Sequence, residues 1–198
     1  MRSQKTIQMA EIALMSAVLC VVSPFTIPVP MSPVPLSLSL FAVYLAAVLL
    51  GAKRGTICVL IYVLLGMVGL PVFSGFSGGI GVLLGPTGGY IIGYIPCALL
   101  TGVLAERKRL VKTEAEQQKR VQRWRKITWN TVAMVLGTLI CYACGTAWFL
   151  VIMGGTYTLM QALVICVVPY LIFDITKIFA AAAMVLPMQR ILRRIEQQ

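Results

Sequence analysis

Six apolar runs divide the chain, at about 9–25, 36–52, 56–70, 86–105, 127–153 and 162–186. Each is near the roughly 20 residues that cross about 30 Å of hydrocarbon, the third being short. With 59% of its 198 residues hydrophobic and 12% charged, the chain has too little polar surface to cover a soluble domain of this size. The expectation is an all-α membrane protein, a single domain over 1–198 with six transmembrane helices.

Orientation follows from the basic residues. Arg2 and Lys5 precede the first run, and Lys53 and Arg54 join the second and third. Arg107, Lys108, Arg109, Lys112, Lys119, Arg120, Arg123, Arg125 and Lys126 join the fourth and fifth, and Arg190, Arg193 and Arg194 follow the sixth. With six crossings, sixteen of the 17 basic residues share one face, while the connections 26–35, 71–85 and 154–161 carry no charge. Both termini are therefore expected in the cytoplasm, with a basic cytoplasmic loop over 107–126. The net charge of +11 is read as topology, not as a nucleic-acid footprint. The basic loop is either a solvated connection or a contact for anionic lipid headgroups or a cytoplasmic partner. Glu106, Glu114 and Glu116 interleave with its cations, which suits helical ends extending into water. The first run is read as a retained helix: Ser23-Pro24-Phe25 offers no small-x-small cleavage site.

The uncharged connections are unusual. Residues 24–35 hold five prolines, Pro24, Pro28, Pro30, Pro33 and Pro35, which favours an extended, stiff segment. Its apolar character fits a lid over a pocket and equally a re-entrant packing segment. The second connection, Gly69 to Tyr90, is rich in glycine, which permits close backbone approach. Phe73 and Phe76 offer apolar faces there, Ser74, Ser77, Thr87 and Tyr90 offer hydrogen bonds, and Pro86 suits the first turn of the fourth helix. Non-helical backbone at membrane depth is tolerated only beside protein or a cavity, so this loop is the natural wall of a small-molecule pocket. It contains no G-x-x-x-x-G-K-[ST], so ATP hydrolysis by this chain is not expected.

Asp174 and Lys177 lie deep in the last run. A charge at the bilayer centre costs roughly 2.5–3.5 kcal/mol on insertion scales, so such residues usually face a site. Their i, i+3 spacing puts both on one helix face, where they either fix helix packing as an ion pair or hold a polar ligand. The ligand site is the reading taken here, with the pair on the pocket floor. Ala13 and Ala17 give the first helix a small-residue stripe, suited to an internal seam or to another protein. The six cysteines, with Cys141 and Cys144 in CxxC spacing, lie in apolar runs; lacking histidine or a second CxxC, they are read as packing residues, with no metal and no cofactor.

The segment Ile27-Pro-Val-Pro…Pro-Val-Pro35, the loop Gly69-Leu-Pro-Val-Phe…Leu-Gly-Pro-Thr-Gly-Gly-Tyr90, and Asp174-Ile-Thr-Lys177 together resemble the BioY family. Its members are biotin-specific S-components of energy-coupling factor (ECF) transporters, and the resemblance runs over nearly the whole chain. It implies a six-helix subunit of a bacterial cell membrane that binds biotin from outside. Its partners would be a transmembrane coupling subunit, met here by Ala13 and Ala17, and two ATP-binding subunits. It implies that Asp174 accepts from the ureido N–H groups and that Lys177 pairs with the carboxylate or the ureido oxygen. Phe73, Phe76 and Tyr90 would cover the thioether ring, and Ser39, Ser74, Ser77, Gly79 and Thr87 would add contacts. Many members have Gln where this chain has Ser39, and some have Arg where it has Ile91. If that Arg grips the carboxylate, Lys177 or the backbone amides of 74–79 do so here.

Two other classes compete. A membrane enzyme acting on lipids would need clustered carboxylates or several acid–base groups, whereas this chain has one buried acid and no histidine. A purely structural subunit would bind no ligand. Within the transport class, an S-component for a different vitamin is the alternative.

Overall fold

The structure is a computed structural model that describes residues 2–28, 34–110 and 119–196. The first apolar run forms α1 (Arg2–Val22). A two-stranded antiparallel pair follows, β1 (Thr26–Ile27) with β2 (Leu36–Ser37), in the register Thr26 with Ser37 and Ile27 with Leu36. The proline-rich connection is thus extended at both visible ends; residues 29–33, including Pro30 and Pro33, lie outside the described residues.

The second and third expected spans fall within one helical element, α2 (Ser39–Val68), interrupted at Gly51. Gly51 has φ +86° and ψ −177°, a conformation that a side chain would strain. The chain reverses there. A Cβ on Gly55 would lie 2.8 Å from the Ala47 Cα and 2.9 Å from the Ala46 carbonyl oxygen. In a continuous helix eight residues would separate such atoms by about 12 Å. The arms 39–50 and 52–68 therefore lie side by side. The Glu106 carboxylate accepts from the Ala52 N–H at 3.2 Å, satisfying one of the donors that a new helix start leaves open.

The glycine loop carries a short helix, α3 (Ile80–Leu83), which the sequence reading does not anticipate. The fourth span is α4 (Gly88–Leu110), so Pro86 stands in the turn before the helix instead of in its first turn. The fifth is α5 (Lys119–Ile152), longer than expected. Both ends of the expected 107–126 loop are thus helical, in keeping with its many Lys, Arg, Gln and Glu, all good helix formers. Residues 111–118, with Lys112, Glu114 and Glu116, lie outside the described residues.

The last expected span is broken. α6 (Leu159–Cys166) begins with a capping box in which Thr158 Oγ1 accepts from the Gln161 N–H at 3.4 Å and Gln161 Oε1 accepts from the Thr158 N–H at 2.9 Å. It ends at Val167, and α7 (Val168–Glu196) starts afresh with Pro169 in its first turn, where a missing N–H is harmless.

Among the described residues, five helices are long and apolar enough to cross a membrane by themselves: Gln4–Val22, Ser39–Val68, Gly88–Glu106, Ile127–Ile152 and Val168–Val185. The expectation was six; the difference lies in the Ser39–Val68 element, whose reversal at Gly51 joins two apolar runs. The protein is a multi-pass membrane protein. α4 packs between α2 and α5; Trp129 Nε1 of α5 donates to the Leu104 carbonyl of α4 at 2.8 Å, and Trp148 Nε1 donates to the Gly85 carbonyl in the turn before α4 at 3.1 Å. α1 leans on the second arm of α2, where Arg54 meets Glu11 at 2.7 Å and Ser16 Oγ donates to the Cys58 carbonyl at 3.4 Å. Met15, Ser16 and Leu19 of α1 are buried, while Ala10, Ala13, Leu14 and Ala17 are exposed.

Candidate binding site

α7 supplies Tyr170, Asp174 and Lys177 at i, i+4 and i+7, a spacing that places them on one helix face. All three side chains are buried, Asp174 at 5% exposure and Lys177 at 9%. The Lys177 ammonium donates to Asp174 Oδ1 at 2.8 Å, and the Tyr142 hydroxyl of α5 donates to Asp174 Oδ2. Each carboxylate oxygen thus has a donor, which a carboxylate taken out of water requires. One helical turn away from Asp174, the Tyr170 hydroxyl donates to the Val34 carbonyl and fastens the proline-rich connection to α7.

These groups face a cavity that is partly open to solvent. Sites for small ligands are mostly apolar with a few orienting polar groups. Val34, Pro35, Ser37 and Leu40 form one wall; α4 contributes Tyr90, Ile91 and Tyr94; Ser74 and Thr87 come from the glycine loop. Asp174 and Lys177 are the charged members among the described lining residues. An anionic ligand group would find a cation there, and an uncharged ring would find apolar and phenolic surfaces. Among the described residues no cluster of three His, Cys, Asp or Glu could hold a metal ion.

Of the residues singled out in the sequence, Asp174, Lys177, Tyr90, Thr87 and Ser74 come together around this cavity. Five stand outside its wall. Phe73 is fully buried against Tyr62, with ring centroids 5.5 Å apart at 81°, and serves the core beneath the loop. Ser77 Oγ donates to the Ser74 carbonyl at 2.7 Å, holding the loop's turn. The Gly79 N–H is taken by the Gly66 carbonyl at 2.7 Å, and the Gly75 N–H by the Pro24 carbonyl at 3.0 Å, so those two amides serve the fold. Ser39 is buried behind Ser37, bonding it by both hydroxyl and N–H; Ser37 reaches the cavity instead. Phe76 is exposed and packs edge-on against Phe25, centroids 5.7 Å apart.

Sequence reasoning missed Tyr142, Tyr94 and Tyr170. The spacings Tyr90-x-x-x-Tyr94 and Tyr170-x-x-x-Asp174 carried a usable signal, since both place a phenol on the face of its neighbour. All six cysteines are free, and Cys141 and Cys166 line the cavity, a position that their reading as packing residues did not anticipate.

The sequence model described as the BioY family matches residues 1–194. The chain is 38% identical over 165 residues to the biotin transporter BioY of Thermotoga maritima, covering 83% of this chain and 86% of that protein. It is 37% identical over 126 residues to the biotin transporter BioY of Rhizobium etli, covering 64% of each. Its fold is similar to a crystal structure of the S-component for biotin from an ECF-type ABC transporter, with a TM-score of 0.78 and 24% identity, covering all of this chain and 95% of that one.

Proposed function

The chain belongs to the BioY family, and from that premise we propose that it is the biotin-specific S-component of an ECF-type importer. The observation that carries the reading is the pairing of Asp174 with Lys177 at the wall of a largely apolar cavity, in a chain matched to the family almost end to end. Its role is transport, not catalysis. Biotin enters from outside, between the two outer connections, and ATP is hydrolysed by partner subunits. Lys177 meets the valerate carboxylate; Tyr90 and Tyr94 flank the uncharged rings. The hydroxyls of Ser37, Ser74 and Thr87 serve the ureido group, and Asp174 holds Lys177 in place.

In this reading the two arms of α2 cross the membrane separately, so that Gly51 marks a cytoplasmic turn and the chain crosses six times. Both termini then face the cytoplasm of a bacterial cell, as the distribution of Lys and Arg requires. The reading is tested by uptake of labelled biotin into biotin-requiring cells that express the chain with an ATPase module. Unlabelled biotin should compete; riboflavin, thiamine and folate should not. Equal competition by another vitamin would reassign the substrate.

The exposed Ala13 and Ala17 face the transmembrane coupling subunit in this account, since small side chains permit close helix approach in lipid. Ala13→Trp or Ala17→Trp should leave biotin binding nearly unchanged while abolishing uptake and co-purification with the ATPase module. Lost binding with an intact complex would mean that the partner surface lies elsewhere.

A further inference from the structure

Asp174 has two oxygens, and each already has a protein donor: Lys177 on Oδ1 at 2.8 Å and the Tyr142 hydroxyl on Oδ2. An ammonium carries three N–H donors. Among the described residues, the hydrogen bond that Lys177 makes is to Asp174, which leaves two donors at the cavity wall. The Tyr142 hydroxyl has the opposite constraint, since its single proton is committed to the carboxylate. These three side chains come from two helices, α5 and α7, and all three line the cavity.

We infer that Tyr142 is a positioning residue for anion recognition: by occupying Asp174 Oδ2 it keeps Lys177 bound to the other oxygen alone, with two N–H donors held for the ligand carboxylate. This rests on the reading of the cavity as a biotin site and assigns the division of labour within it. Without the Tyr142 hydroxyl, Oδ2 becomes a second acceptor for the Lys177 ammonium, which is then drawn away from the cavity. An incoming carboxylate also meets an Asp174 whose charge is less absorbed by donors. Both effects act on an anionic ligand group. Neither acts on a ligand whose tail is neutral.

The test compares biotin with its methyl ester and its primary amide, which keep the rings and remove the charge, on the detergent-solubilised full chain. In Tyr142→Phe, biotin affinity should fall about tenfold, the order of a lost hydrogen bond to a charged group, while the neutral analogues change by less than about twofold. A merely structural Tyr142 would weaken all three ligands alike, and that result, or an unchanged biotin affinity, would overturn the inference. A second comparison covers poor folding of the single variant or weak binding of the analogues. In an Asp174→Asn background, where there is no carboxylate charge to manage, adding Tyr142→Phe should cost no further biotin affinity; a further tenfold loss would overturn the proposal. If wild type binds no biotin, the site reading fails and takes this inference with it. If wild type binds and Tyr142→Phe is unselective, the inference alone fails.

Discussion

Lys177→Ala should abolish measurable biotin binding and destabilise the protein. The substitution leaves Asp174 buried with one neutral donor, Tyr142, and without its cation. Removing one member of a buried ion pair typically costs about 3–5 kcal/mol, most of it the penalty of the stranded charge. In thermal unfolding of the detergent-solubilised protein, Lys177→Ala should melt well below wild type. Lys177→Met combined with Asp174→Asn removes both charges, and should recover much of the stability without recovering affinity. That contrast separates the two readings that the sequence left open. If the double variant binds biotin like wild type, the pair only fixes helix packing and the ligand lies elsewhere.

The second large effect is expected at Gly102, far from the pocket. A Cβ there would stand 2.4 Å from the Ala52 Cα and 2.5 Å from its nitrogen, below the 3.0 Å that real Cβ atoms respect. The obstacle is backbone, at the point where α2 reverses and Glu106 holds the Ala52 N–H. Inserting extra methylenes into a packed interior costs about 1–3 kcal/mol, and more when backbone must move. Gly102→Ala should lower the melting temperature, and Gly102→Leu should leave little monodisperse protein in size-exclusion chromatography. Gly81→Ala, with nothing within 4 Å of its would-be Cβ, is the matched control and should behave like wild type. A Gly102→Leu variant as stable as wild type would contradict the close packing of α4 on the reversal.

The helices were legible because runs of apolar residues near membrane length leave the backbone few other ways to satisfy its hydrogen bonds. Their breaks were less so. The reversal at Gly51 depends on one glycine at φ +86° and on Glu106 arriving from α4, and neither is visible in a hydropathy pattern. The break at Val167 was announced by Pro169 and by Thr158-x-x-Gln161, signals outweighed by the continuous apolar run of 162–186. The extension of α5 to Lys119 follows from helix-forming polar residues, which a hydropathy boundary cuts off too early.

At the site, Asp174 and Lys177 stood out because charge in an apolar helix is costly. Tyr142 did not, because a tyrosine in such a helix reads as packing until its hydroxyl is seen on Asp174. Phe73 shows the converse: in a loop sequence it looks available to a ligand, but the fold seats it against Tyr62 and the Gly66 backbone. Gly79 does too, its N–H being spent on the Gly66 carbonyl. Loop residues are the hardest to assign because their roles depend on contacts made across the chain.

The most direct test of the account is a calorimetric titration of the purified, detergent-solubilised chain with biotin, without any partner subunit. The account predicts saturable binding that excess riboflavin, thiamine or folate does not diminish and that Lys177→Ala removes. Absence of binding at micromolar biotin, or full retention of binding in Lys177→Ala, would contradict it.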